Sequence, residues 1–205
     1  MNTRGVSNTQ GTGVDVIRLG GLAAVLAAVA WAVSGIVHFA MVYPQAGTGA
    51  TGSLSDYLIE SAHAVAEAGM VGALLGLRAR QAPRYGWLGA VGFALAFLGS
   101  VLLCAITVIA IISGDALGEV VLGTIFISGM LGWLVGFPLL GIATLRARML
   151  PRWCGVLLLA FFPLFLFLLA SYGWGGIALG LLWLMLGYAL LSQRDAADQN
   201  PVRAR

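Results

Sequence analysis

Lysine is absent from this chain, and charge of either sign is scarce. Charged residues make up 9% of the 205 positions, against about 25% in an average soluble domain. What remains is 60% hydrophobic, with a mean hydropathy of +0.96. A water-soluble chain of this size has too little interior to hide so many apolar side chains. The composition therefore excludes a soluble enzyme, a disordered chain and a nucleic-acid-binding domain, even with a formal net charge of +3. It reads as an all-α, polytopic membrane protein whose first partner is the lipid bilayer. A basic set made only of arginine fits codon bias better than a binding role.

Cysteine is nearly missing as well. Cys104 and Cys154 allow at most one disulfide. Their expected places, the outer half of one helix and the inner boundary of another, keep them apart, so both read as small packing residues. There is no Walker loop, no Ser/His/Asp signature, no Cys-x-x-Cys and no dinucleotide fingerprint. These absences argue against a pump with its own ATPase and against the common soluble chemistries.

Long apolar runs are what the chain has in plenty. Residues 1–15 are rich in Gly, Thr, Asn and Ser and are expected as a flexible tail. The run 17–41 is longer than the 7–15 residues of a signal-peptide core and covers the ~30 Å hydrocarbon layer as a helix. Five further runs, 56–77, 85–112, 120–145, 153–171 and 174–191, predict a six-helix transmembrane domain over 16–192 and a short tail over 193–205. Pro138 and Pro163 fall inside the fourth and fifth helices and are expected to kink them. The connections are short, so successive helices are expected to run antiparallel in one bundle.

The arginines set the expected orientation. Arg4 and Arg18 precede the first helix. Arg78, Arg80 and Arg84 lie between the second and third, and Arg146, Arg148 and Arg152 between the fourth and fifth. Arg194, Arg203 and Arg205 follow the sixth. These segments hold all 11 basic residues and fall on one side, which the positive-inside rule makes cytoplasmic. Both termini are thus expected in the cytoplasm, with the protein in the cell inner membrane. The opposite side carries only Asp56, Asp115 and Glu119. Tyr43, Tyr57, Tyr85, Trp87, Trp153, Tyr172 and Trp174 fall near the span ends, as interfacial belts do.

The two inner loops are alike. Residues 77–84 read Leu-Arg-Ala-Arg-Gln-Ala-Pro-Arg, and residues 145–152 read Leu-Arg-Ala-Arg-Met-Leu-Pro-Arg. One explanation is a parallel internal repeat. The other is that both loops meet the same demand for arginine and a helix-breaking proline.

The second helix carries the unusual polar cluster. Glu60, His63 and Glu67 share one face at about 100° per residue. The opposite face, Ala62, Ala66, Gly69, Ala73 and Gly76, is a seam of small residues that lets another helix come close. His38, with Ser34 one turn away, lies at a similar depth on the first helix. Ionisable groups at that depth make a functional site the default hypothesis. Several chemistries suit them. His38, His63, Glu60 and Glu67 are the donor types of a divalent metal site. His38 and His63 are a candidate pair for haem. Glu67, the deepest acid, suits proton uptake or proton donation. The bland alternative is a hydrogen-bonded cluster that only holds helices together. Ser100, Cys104 and Thr107 share a face of the third helix, and Thr124 and Ser128 lie in the fourth. Such hydroxyls commonly bond their own helix backbone. The aromatic-rich fifth helix, with Phe161, Phe162, Phe165 and Phe167, is expected to pack or face lipid.

Around Leu-Arg-Ala-Arg-Met-Leu-Pro-Arg-Trp, the chain resembles a broad group of bacterial six-pass membrane proteins, which implies the layout above and no particular residues. It is also faintly similar to small integral-membrane terpene cyclases. That resemblance implies an intramembrane acid, Glu60 or Glu67, protonating an isoprenoid. The sequence departs from it in having no second acid in the fifth or sixth helix. Three functions follow as expectations: a small-ligand, metal or proton binding or transport-type protein with its polar site under the outer leaflet; an acid-initiated intramembrane enzyme; and a structural subunit that pairs with itself or with a membrane partner.

Overall fold

In a hydrocarbon layer each backbone N–H and C=O must find its partner within the chain, and an α-helix supplies that locally. The computed structural model describes residues 9–42, 54–81, 84, 86–113, 119–170 and 174–198, and among them there is no strand. The helices are α1 (Thr9–Val37), α2 (Leu54–Gln81), α3 (Gly86–Ser113), α4 (Glu119–Ala147), α5 (Arg152–Ala170) and α6 (Trp174–Asp198). A π-helical turn, His38–Val42, extends α1. Five helices are long and apolar enough to cross a membrane, and the apolar part of α5, Arg152–Phe167, is shorter. The 19 residues of α5 still rise about 28 Å at 1.5 Å each, close to the ~30 Å of a bilayer core. The chain is a multi-pass integral membrane protein built as an all-α bundle.

Two expected boundaries shift. Helix α1 begins at Thr9, inside the stretch expected as a tail, and α6 continues to Asp198, beyond the expected end of the span. Helix α4 runs on through Pro138, and α5 through Pro163. A missing N–H removes one bond from a ladder that the neighbouring residues keep in place.

Small residues decide which helices meet. A Cβ on Gly76 would lie 2.6 Å from the Cα of Gly20, so α1 and α2 touch there backbone to backbone. The same pair meets again where Gly69 faces Ala27. Gly136 packs on Ala96 and Gly129 on Leu103, which joins α3 to α4. Gly176 packs on Gly35 and Gly187 on Gly21, which joins α1 to α6. In each pair residue numbers rise along one helix as they fall along the other, so all three pairs are antiparallel. Between lipid-soaked helices there is little hydrophobic driving force, and close van der Waals contact along such seams takes its place.

The centre of the bundle is aromatic. Phe137 and Phe161 stack with ring centroids 3.9 Å apart. Trp133 meets Phe161 edge-on at 5.2 Å, and Trp183 meets the same ring at 6.1 Å. Phe161 and Phe165 of α5 are buried in this cluster, whereas Phe167 is half exposed. The expected packing holds for Phe161 and Phe165, and Phe167 points away from it.

Antiparallel packing gathers Arg18, Arg78, Arg80, Arg84, Arg146, Arg148, Arg152 and, near the end of α6, Arg194 at one end, the arginine end. Arg4, Arg203 and Arg205 lie outside the described residues. Arg78 stands over the ring of Phe93 at 4.7 Å, a cation–π contact. Nearby, buried Gln81 donates from Nε2 to Thr144 Oγ1 at 2.9 Å, tying α2 to α4. Trp87, Tyr57 and Trp174 are exposed at helix ends, as belt residues would be. Tyr43, Tyr85 and Tyr172 lie outside the described residues. The two similar loops differ in backbone. After α4, Arg148 takes a left-handed conformation at φ 51°, its N–H capping Thr144 O at 3.3 Å. Arg80, its counterpart in the other loop, is still helical, and there the left-handed residue is Gly86 at φ 60°.

Candidate functional site

Helix α2 has the two faces its sequence predicts. Ala62, Ala66, Gly69, Ala73 and Gly76 are all buried. Because these residues have almost no side chain, α1 lies directly against this part of α2. The other face carries Glu60, His63 and Glu67, and there the neighbours stand further off.

His63 is held from the α1 side. Its Nε2 lies 2.8 Å from Ser34 Oγ, and Ser34 is 3% exposed. The indole of Trp31 packs on the imidazole with ring centroids 5.1 Å apart. Trp31 is fixed in turn, its Nε1–H pointing at Met70 Sδ at 3.4 Å. With Nε2 engaged by Ser34, Nδ1 is the nitrogen left for anything beside α2.

Glu67 is held from the α3 side. Thr107 Oγ1 lies 3.0 Å from Glu67 Oε2 and also 3.0 Å from its own helix carbonyl, Leu103 O. One hydroxyl proton serves one acceptor at a time, so Thr107 alternates between its backbone and the carboxyl group. Glu67 itself is 7% exposed. The same face of α3 makes two more contacts. Cys104 Sγ points at Ala64 O of α2 at 3.8 Å, and Ser100 accepts a hydrogen bond from Trp133 Nε1 of α4 at 2.9 Å. Ser100 and Thr107 thus bond their own backbones, as expected, and other helices too. Ser128 bonds only the Thr124 carbonyl within α4 at 2.8 Å.

A pocket of ≈ 390 Å³ opens where α2, α3 and α4 diverge, at the end away from the arginines. Helix α2 supplies Glu60 and His63, α3 supplies Ile106, Thr107 and Ala110, and α4 supplies Leu122, Gly123 and Phe126. A Cβ built on Gly123 would meet nothing within 4 Å, so the wall there is open space. Phe126 is 42% exposed, which leaves the pocket reachable from the side of the bundle. The Glu60 carboxyl group is half-buried and makes no hydrogen bond or ion pair among the described residues.

Of the four expected site residues, Glu60 and His63 line this pocket. Glu67 lies behind its wall, one hydrogen bond away through Thr107. His38 is half-buried on the π-helical turn and is not part of the lining. Among the described residues, no three of His, Cys, Asp and Glu come together at a spacing that holds a metal ion. Ser34 engages His63 from one helix and Thr107 engages Glu67 from another, while His38 stands at the start of the π-helical turn.

Beyond Glu67 the interior turns apolar. Met70, Ala73, Leu74 and Leu77, the α2 residues between Glu67 and Gln81 that face the core, are at most 4% exposed. Sequence reasoning placed α2 correctly but passed over Thr107 and the three α4 residues. Thr107 carried a signal, since it shares a face with Ser100 and Cys104. The α4 residues carried none. Comparison of the chain with protein-family models, curated proteins and solved structures gave no match.

Proposed function

We propose that this membrane protein binds a small amphiphilic molecule drawn from the bilayer. The polar head would sit against Glu60, His63 Nδ1 and Thr107, and the apolar part against Ile106, Leu122 and Phe126. One observation carries this reading: a ≈ 390 Å³ pocket, mostly apolar, with two ionisable side chains in its wall and a side opening at Phe126. Ligand pockets usually have this balance of apolar lining and few placed polar groups. With the arginine end in the cytoplasm, the pocket lies under the outer leaflet of the cell membrane. The apolar layer from Met70 to Leu77 favours binding from one side over a polar path through the bundle.

A second reading has one observation in its favour. Thr107 lines the pocket and bonds Glu67, so a proton has a one-residue route from the buried acid to an occupant. An acid-initiated cyclase or isomerase of a lipid-like or isoprenoid substrate would use that route, with Glu67 or Glu60 as the acid.

The test is purification into lipid nanodiscs, followed by extraction and mass spectrometry of what comes with the protein. Wild type is expected to carry an amphiphile enriched over the bulk lipid, and Gly123→Leu, which fills the pocket, is expected to lose it. A lipid profile identical in the two proteins would overturn the binding reading and leave a structural subunit.

A further inference from the structure

We infer that the occupant of this pocket carries an amine, as a hydrophobic cation. The inference rests on the reading of the pocket as a ligand site and adds the chemistry of the head.

The first ground is the distribution of charge. The chain has no lysine, and the described arginines, Arg18 to Arg194, stand at the far end of the bundle. At the pocket end the described cationic candidates are His38 and His63 alone, and His63 Nε2 is already engaged by Ser34. A phosphate or carboxylate head would come to rest beside Glu60 with no guanidinium within reach. An anionic head beside a carboxylate away from water is repelled, with no cation there to offset it.

The second ground is Glu60. Its carboxyl group is half-buried in the pocket wall and has no hydrogen-bond or ion-pair partner among the described residues. An ionisable group at membrane depth is normally paired. An ammonium head supplies that pair and makes a charge-assisted hydrogen bond.

The third ground is the company Glu60 keeps. The Thr107 oxygen and, in the tautomer whose Nε2–H donates to Ser34, the His63 Nδ1 lone pair both accept hydrogen bonds, and an ammonium has three N–H groups to give. Phe126 in the same wall adds an aromatic ring, the apolar group most favourable to a cation. In that tautomer every polar group of the pocket accepts from a donor or attracts positive charge. The remaining lining takes a hydrocarbon tail.

The experiment uses the full chain in phosphatidylcholine nanodiscs. Three photo-reactive probes share one diazirine-bearing chain of about ten carbons and end in a primary amine, an alcohol or a carboxylate. Labelling at α2, α3 and α4 peptides is read by mass spectrometry and normalised to labelling of the lipid. The amine probe is expected to label the pocket about tenfold more than the carboxylate probe, the ratio that one charge-assisted hydrogen bond supports. Glu60→Gln, at a position with no partner to lose, should bring amine labelling down to the level of the alcohol. Gly123→Leu should abolish labelling by all three. Equal labelling by the three heads, or a preference for the carboxylate, would overturn the amine inference while the loss in Gly123→Leu kept the pocket reading. Labelling that Gly123→Leu leaves unchanged for every head would overturn both.

Discussion

Gly76 and Gly123 are the same residue put to opposite uses. Gly76 lies where α1 and α2 press together, and a single added carbon there would strike the backbone of Gly20. Gly123 lies where α2, α3 and α4 part, and an added carbon there would strike nothing. The contrast runs through the whole of α2. Its small-residue face is closed by a neighbouring backbone. Its polar face, with side chains too large to allow that approach, holds the neighbours at a distance and leaves the pocket. Closure and opening are two results of one rule, that residue size sets how near the next helix comes.

The contrast is open to direct attack. Gly76→Val should have the largest effect. It forces α1 from α2, and overpacking of this kind costs about 1–3 kcal/mol or more. A clear fall in the thermal midpoint in detergent, or loss of monodisperse protein on size exclusion, is expected. A wild-type midpoint would mean the seam does not hold the bundle together.

Thr107→Val should come next. It leaves a buried carboxyl group without its hydroxyl, at a cost of about 1–3 kcal/mol. Glu67→Gln keeps an oxygen for Thr107 and should melt close to wild type. The pair sharpens the comparison, because equal loss in both variants would show that more than the Thr107 hydroxyl holds the carboxyl group in place.

Ser34→Ala should cost less, about 1 kcal/mol, the usual net value of one hydrogen bond. It should also free the imidazole, which the ring nitrogens of 15N-histidine-labelled protein would report as a shift at His63. Smallest of all is Gly123→Leu. Its effect on the midpoint should stay within about 0.5 kcal/mol, as for a substitution that meets no neighbour, while the pocket is lost to probes. A large drop in stability would show that the pocket is filled in the folded protein.

Much of this could be read from residues in order. The apolar runs show the helices. The arginines show which ends share a side. The alternation of small and polar positions along α2 shows a helix with one closed and one unusual face. The pocket could not be read the same way. It depends on where α4 stands against α3, and that is set by glycine contacts between residues far apart in sequence, such as Gly136 with Ala96 and Gly132 with Gly99. His38 is expected at the depth of His63, and nothing in the order of residues shows that it begins a π-helical turn outside the pocket lining. Thr107 could be assigned to its own backbone with good reason, and it does bond Leu103 O. Its second partner, Glu67, exists only because α2 and α3 pack in this register.

The apolar layer from Met70 to Leu77 has a consequence for the membrane itself. Between Glu67 and Arg78, α2 carries no titratable side chain at all. On the binding reading proposed above, an occupant of the pocket would meet the acidity of one compartment and leave the gradient between two untouched.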